Sequence, residues 1–220
     1  MPAVDRAQHT VLENRERQPG ASSHVRFRLL AVPFFLSGVA ALIYQVCWQR
    51  LLFVAFGVDI ESITIIVSTF MLGLGIGALV GGRLADRFPD RIVAMFSAIE
   101  LGIGLFGLAS PQVIETVGAL TVRQSLPVIA LANFMALLVP TLLMGATLPM
   151  LVAFLVRAAG SVGVSIGGLY FVNTMGAATG ALAIGFVLLH YIELNTAIHA
   201  AAAINFLVSA SVPLLFRHRS

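Results

Sequence analysis

Long apolar runs constrain this chain more than any other feature of its sequence. Hydrophobic residues make up 59% of the 220 residues and charged residues 10%, whereas soluble domains are about a quarter charged. Several runs reach the ~20 residues that a helix needs to cross a hydrocarbon core. Lipid is then the main solvent, and backbone polar groups must be satisfied within helices. The sequence predicts an all-α integral membrane protein.

The breaks between the apolar runs divide the chain into three regions. Residues 1–28 mix charge with proline, glycine and serine and are predicted to form a mobile tail. A transmembrane domain follows over 29–216, and 217–220 form a short end. Pro111 is expected to end the third helix, so that 111–124 form a short interfacial helix. The six predicted transmembrane helices are 29–50, 62–82, 91–110, 126–156, 163–189 and 195–216.

The distribution of arginine predicts the orientation. All thirteen basic residues are arginine, and cytoplasmic loops of membrane proteins are enriched in such residues. With a cytoplasmic tail, only Arg50 and Arg123 lie on the outer side, so both termini are expected in the cytoplasm. Because the charge is spread over loops and tails, no nucleic acid partner is expected. The inner arginines are Arg6, Arg15, Arg17, Arg26, Arg28, Arg83, Arg87, Arg91, Arg157, Arg217 and Arg219.

The loop "GGRLADRFPDR", residues 81–91, concentrates charge between two apolar runs. Its pattern resembles the signature loop between the second and third helices of major facilitator superfamily transporters, in which an aspartate and arginines form a cytoplasmic clasp. Pro89 and Asp90 stand near the position of the family's later glycine, so the match is partial. The alternative is that the charge serves only topology and hairpin packing. The matching residues are Gly81, Arg83, Leu84, Asp86, Arg87 and Arg91.

Five blocks in order carry a closer resemblance. They are "FFLSGVAALIYQVCWQRLL", "GLGIGALVGGRLADR", "IELGIGLFGL", "PTLLMGATLPML" and "GGLYFVNTMGAATGALAIGFVLL". Together they resemble the membrane half of bacterial proteins in which a transporter-like part is fused to a spermidine synthase-like part. The resemblance implies a six-helix bundle like one half of a major facilitator fold, located in the inner membrane of a bacterial cell. Without a glycine-rich strand-to-helix turn to seat a nucleoside, the chain is expected to bind no cofactor and not to be an enzyme.

Glycines recur every fourth residue in two of the predicted helices. Such stripes let neighbouring membrane helices approach closely, and helix packing is the favoured interpretation here. The glycine spacing in "GLGIGALVGG" also matches a dinucleotide fingerprint, but it lies inside a predicted membrane helix with no preceding strand. The glycines predicted to pack helices are Gly73, Gly77, Gly81, Gly176 and Gly180.

Glu100 is the acidic residue placed deep within a predicted membrane helix. An ionised side chain at mid-bilayer costs about 2.5–3.5 kcal/mol on insertion scales, so this carboxyl group should face the bundle interior and be protonated or paired. It lies near the midplane, where transporters place their sites. The alternative is a structural carboxyl group that is hydrogen-bonded to a neighbouring helix, such as the one bearing Asn133 or the one bearing Asn173.

Other polar and aromatic side chains complete the candidate set. Gln45 could face a cavity, and Tyr170 and Asn173 share one face of the fifth helix with Thr174. Their alternative role is ordinary interhelical hydrogen bonding. Tyr44, Trp48 and Arg50 are expected to form an anchoring belt at the outer interface. His190 and Glu193 alone do not make a metal site, so no metal is expected.

Three functions remain open from the sequence. The favoured one is a membrane subunit that docks a partner, either a soluble synthase-like protein or a larger membrane complex. The second is a dimerising transporter-like protein in which Glu100 binds a proton, a polyamine or another small organic cation. The third is the membrane module of a separately encoded aminopropyltransferase. Other membrane subunits, or copies of this chain, are expected partners beside the lipid bilayer.

Overall fold

Apolar helices account for almost all of the structure. The computed structural model describes residues 21–56, 60–159 and 162–217; residues 1–20 of the predicted tail and 218–220 of the predicted end lie outside this part. Six helices are long and apolar enough to cross a membrane, as the sequence predicts. They are α1 Ala21–Phe56, α2 Ile60–Arg87, α3 Ile92–Thr121, α4 Leu126–Ala159, α5 Val162–Leu182 and α6 Leu194–Arg217.

Most helices exceed their predicted bounds, most visibly at the start of α1 and the end of α3, whereas α5 ends at Leu182, before the predicted end at 189. Helix α1 begins at Ala21, before the predicted start at residue 29. A short 3-10 turn, Pro89–Arg91, joins α2 to α3. After α5 the chain continues through a π-helical turn, Ala183–Leu188, and one further helical turn, Leu189–Tyr191, to α6.

Pro111 does not end the third helix, and the prediction of a separate interfacial helix over 111–124 is wrong. Helix α3 runs through this proline to Thr121. Proline cannot donate to the carbonyl group four residues earlier, which here belongs to Gly107. The Ser110 hydroxyl group donates to that Gly107 oxygen at 2.8 Å. A side-chain hydrogen bond thus replaces the missing backbone one, as membrane helices with proline commonly require.

The helices pack in the spatial order α2, α4, α3, α6, α1, α5; in addition, α1 touches α3 and α5 touches α4. Helices α1, α3 and α6 therefore meet at the centre, whereas α2 rests chiefly on α4 and α5 chiefly on α1. The outward faces carry large apolar side chains such as Met71, Phe171 and Phe186, which are 63%, 62% and 74% exposed. Such faces suit lipid contact better than water.

The predicted glycine stripes are the surfaces on which the two outer helices pack. Side chains added at Gly73, Gly77 and Gly81 of α2 would collide with Thr141, Leu142 and Ala146 of α4. Those added at Gly176 and Gly180 of α5 would collide with the backbone of Phe35 and Val39 in α1. Both helix pairs therefore depend on the absence of a side chain, as expected for small residues at a membrane-helix interface.

Replacing Gly77 by alanine should destabilise the α2–α4 pair, because the added methyl group would meet the Leu142 backbone and the Gly145 α-carbon. Overpacking of this kind costs about 1–3 kcal/mol. We expect Gly77→Ala to lower the free energy of unfolding in detergent micelles by that order. Gly75→Ala is the matched control, since its methyl group would meet no heavy atom of the described chain within 4 Å. Equal stability of the two variants would contradict the packing role.

Candidate functional site

The Glu100 carboxyl group lies where α1, α3 and α6 meet. Its residue is 0% exposed. The Ser37 hydroxyl group of α1 donates to its Oε1 atom at 2.7 Å, and the Asn205 side-chain amide of α6 donates to its Oε2 atom at 2.7 Å. Three helices that are far apart in sequence are thus joined through one side chain. We call Ser37, Glu100 and Asn205 the carboxyl cluster.

Helical rise places the carboxyl cluster deep in the bundle. Glu100 lies eight residues after the start of α3 at Ile92, which is about 12 Å at 1.5 Å per residue. Asn205 lies twelve residues before Arg217, the end of α6, or about 18 Å. Both depths fall near the middle of a hydrocarbon core roughly 30 Å thick. The burial of Glu100 agrees with the prediction that it faces the bundle interior, and its position near the midplane stays a prediction.

The hydrogen-bond partners of Glu100 are neutral. A protonated Glu100 would donate to the Asn205 Oδ1 atom after exchange of the amide nitrogen and oxygen, an assignment that hydrogen-bond geometry has to decide. That Oδ1 atom is buried and has no hydrogen-bond partner within the described ranges, and the same holds for the Ser97 hydroxyl one turn before Glu100. The same side chains can therefore serve both protonation states. A carboxyl group with spare acceptors beside it is suited to hold a proton or a small cation.

An aromatic layer lies on the α1–α3 contact beyond the carboxyl cluster. The rings of Tyr44 and Trp48 stack with centroids 5.1 Å apart, and the Trp48 indole donates to the Ser110 hydroxyl group at 2.9 Å. Both aromatic residues are 0% exposed. The predicted anchoring belt is therefore wrong for Tyr44 and Trp48, which form part of the core, while Arg50 is exposed. The indole gains a hydrogen bond inside the bundle that an interfacial position would have taken from water.

The remaining predicted candidates do not join the carboxyl cluster. Gln45 is half-buried on α1, and Asn133 donates to the Ile129 carbonyl group of its own helix at 2.9 Å. Tyr170 is 60% exposed on the outer face of α5, and Asn173 lies against Gly38 of α1. The predicted hydrogen bond from Glu100 to the helix of Asn133 or Asn173 is corrected accordingly, because α6 supplies the amide.

The predicted loop motif lies at one end of the bundle and contacts α4. The Arg157 guanidinium group is 3.4 Å from the Asp86 carboxylate and donates to the Ala85 carbonyl oxygen at 3.0 Å. Arg87 lies 5.6 Å from the centroid of the Phe88 ring. Arg83 and Arg91 are exposed. The aspartate of the motif therefore pairs across helices, with an arginine that the resemblance did not include.

Sequence reasoning missed Ser37, Asn205, Ser97 and Ser110. Asn205 carried a usable signal, because it is an amide side chain in the middle of the apolar run "AAAINFLV". The serines carried little, since a serine inside a membrane helix commonly satisfies its hydroxyl group on its own backbone. The pairing of Ser37 with a carboxyl group 63 positions away follows only from the packing of α1 on α3.

Comparison with known proteins relates the chain to an enzyme. It is 31% identical over 206 residues to a polyamine aminopropyltransferase of Corynebacterium efficiens, and the match covers 91% of this chain and 38% of that enzyme. The chain thus spans about two fifths of the relative's length. No family model matches the chain, and no solved structure matches it. The likeness to one half of a major facilitator fold stays a prediction.

The expectation that the chain is not an enzyme is contradicted by this relative. The chain lacks a recognisable nucleoside-binding turn, yet nearly the whole chain aligns with part of a protein that is named as an aminopropyltransferase. The resemblance to synthase-like proteins is supported by this 31% identity to an aminopropyltransferase. The all-helical, multi-span character is supported by the six apolar helices.

Replacing Glu100 by leucine should destabilise the bundle. The change leaves the Ser37 hydroxyl and Asn205 amide groups without their acceptor, and each unsatisfied buried group costs about 1–3 kcal/mol. Glu100→Gln should cost less, because its amide can accept from one partner and donate to the other. Unfolding in detergent micelles measures both, with exposed Glu115→Leu on the same helix as control. If Glu100→Leu unfolds like the unsubstituted protein, the cluster does not stabilise the fold.

Proposed function

We propose that this chain is the membrane-embedded part of an aminopropyltransferase-type enzyme and holds the catalytic part at the cytoplasmic surface. The observation that carries the proposal is the match of 91% of the chain to two fifths of a polyamine aminopropyltransferase, together with six helices able to span a membrane. Well over half of that relative lies outside the match and has room for a soluble catalytic part. The helix bundle anchors that catalytic part to the membrane and positions it at the membrane surface.

The end of the bundle that bears the α2–α3 connection is the surface that we assign to docking. The Asp86–Arg157 ion pair places the ends of α2 and α4 together, and the rings of Phe154 and Phe216, 5.0 Å apart, bring the end of α6 to α4. By the distribution of arginine this end is cytoplasmic, as are both termini. Its exposed guanidinium groups favour a partner surface that is acidic.

Co-purification of activity tests this proposal. We expect the tagged chain, extracted from its own cells in mild detergent, to retain aminopropyl transfer to a diamine. The combined change Arg83→Gln, Arg87→Gln and Arg91→Gln should lower the retained activity several-fold, and added salt should do the same because it screens exposed charges. Arg123→Gln, beyond the far end of α3, is the matched control.

Three results would contradict the proposal. If the unsubstituted chain retains no aminopropyltransferase activity, the assignment to such an enzyme fails. If the triple variant retains as much activity as Arg123→Gln, the catalytic part does not dock on the arginine-bearing end. A tag at Arg87 that is accessible only from outside the cell would likewise overturn the orientation.

A second candidate is the transport of a polyamine or another small organic cation, and the carboxyl cluster favours it. Glu100 has two neutral donors and spare acceptors nearby, which suits a carboxylate that exchanges a proton for an organic cation. Since Glu100 is 0% exposed, a cation reaches it only if α1 or α6 moves. A second copy of the chain would complete the pathway, as two six-helix halves do in major facilitator transporters.

Uptake measurements separate this candidate from anchoring alone. In proteoliposomes, we expect accumulation of a labelled diamine that is driven by a pH gradient and lost in Glu100→Gln, because the amide can neither release a proton nor bind a cation by charge. Glu115→Gln should leave uptake unchanged, since this residue is exposed on the same helix. Uptake by Glu100→Gln at the unsubstituted rate would remove the carboxyl cluster from transport.

A further inference from the structure

A groove between α1 and α6 opens toward the surrounding lipid. Its volume is about 380 Å³, within the range of small-ligand sites. One charged side chain, Arg28, lies at its mouth, and its walls are almost entirely apolar. The lining residues used in the argument below are Arg28, Val32, Leu36, Leu207, Ser211 and Leu215.

The groove runs along the helix axes for the depth of one leaflet. On α1 its lining extends from Arg28 to Leu36, and on the antiparallel α6 from Leu215 to Leu207. Eight residues of helix span about 12 Å, against about 15 Å for half of a hydrocarbon core. The arginine therefore lies at headgroup level when the far end of the groove lies near the midplane.

The lining chemistry favours an acyl chain in the groove. Ser211 already donates its hydroxyl group to the Val208 carbonyl group at 3.0 Å, so the wall offers water few partners. A 12 Å length of helix with side chains occupies roughly 900 Å³, more than the groove volume of about 380 Å³, so a helix of a second copy could lie across the groove but not within it. An acyl chain is narrower and is present at this depth in every bilayer.

The mouth of the groove favours an anionic headgroup. Arg28 is exposed and has no hydrogen bond or ion pair with any residue of the described ranges. A guanidinium group at the membrane interface pairs with phosphate through two parallel hydrogen bonds. Arg28 thus matches the phosphate of a phospholipid, and the apolar groove beside it matches one acyl chain of the same phospholipid.

We propose that this groove is a binding site for an anionic phospholipid of the cytoplasmic leaflet, with its phosphate on Arg28 and one acyl chain between α1 and α6. The site joins the two helices that carry Ser37 and Asn205. A lipid in the groove therefore contacts both helices that supply hydrogen bonds to Glu100. The proposal is independent of the function proposed above.

Native mass spectrometry of the protein released from nanodiscs tests the site. The nanodiscs contain equal amounts of phosphatidylglycerol and phosphatidylethanolamine. We expect the unsubstituted protein to retain one phosphatidylglycerol, and Arg28→Gln to retain at least about fivefold less. Val32→Trp, which keeps the arginine and fills the groove, should lower retention of both lipids. Arg83→Gln, an exposed arginine at the same end outside the groove, is the control.

Three results would overturn the proposal. Arg28→Gln that retains phosphatidylglycerol like the control shows that the guanidinium group does not bind the lipid. Equal retention of the two lipids by the unsubstituted protein shows that the site does not select an anion. A disulfide between two copies of a Val32→Cys variant, formed in high yield in the membrane, shows that a second chain covers the groove.

Discussion

A polar atom inside a bilayer can find a hydrogen-bond partner only within the protein, and this constraint shapes the molecule from backbone to core. It makes the long apolar runs helical, since only a helix satisfies its own backbone there. It also explains why Ser110 accompanies Pro111, because the hydroxyl group donates to the Gly107 carbonyl group that proline leaves free. Earlier in α3, the Glu100 carboxyl group meets the same requirement through side chains of two other helices.

Polar contacts between side chains consequently hold the centre of the bundle together, whereas close packing of helix backbones holds the outer helices. Helices α1, α3 and α6 share the carboxyl cluster, and α1 and α3 share the aromatic layer around Trp48. The outer pairs rely on glycine surfaces that allow close approach of backbones. Directional bonds resist rotation of a helix more than smooth surfaces do.

Much of the fold follows from sequence because its causes are local. Apolar length predicts the number of helices, and four-residue glycine spacing predicts the faces on which Gly77 and Gly176 pack. The failures involve information from distant parts of the chain. The expectation that Pro111 ends its helix considers only the backbone hydrogen bond that proline loses. It does not include the hydrogen bond by which the neighbouring serine replaces it. Trp48 was expected at the interface because its partner, Ser110, lies 62 positions away.

The candidate site was predictable only in part for the same reason. A carboxyl group in an apolar run signals an interior position, and Glu100 has one. Its partners depend on which helices become neighbours, and the expected amides on α4 and α5 are replaced by Asn205 on α6. The similarity to an aminopropyltransferase corrects the expectation that the chain is not an enzyme. The absence of a nucleoside-binding turn is a property of this stretch of sequence alone and says nothing about the rest of such an enzyme.

The aromatic layer also contains an intrinsic fluorescent probe. Trp48 is the single tryptophan among 220 residues, it is fully enclosed, and its indole nitrogen is tied to α3. The wavelength of indole emission depends on the polarity around the ring. Fluorescence of the unlabelled protein therefore reports on separation of α1 from α3, without a background from any other indole.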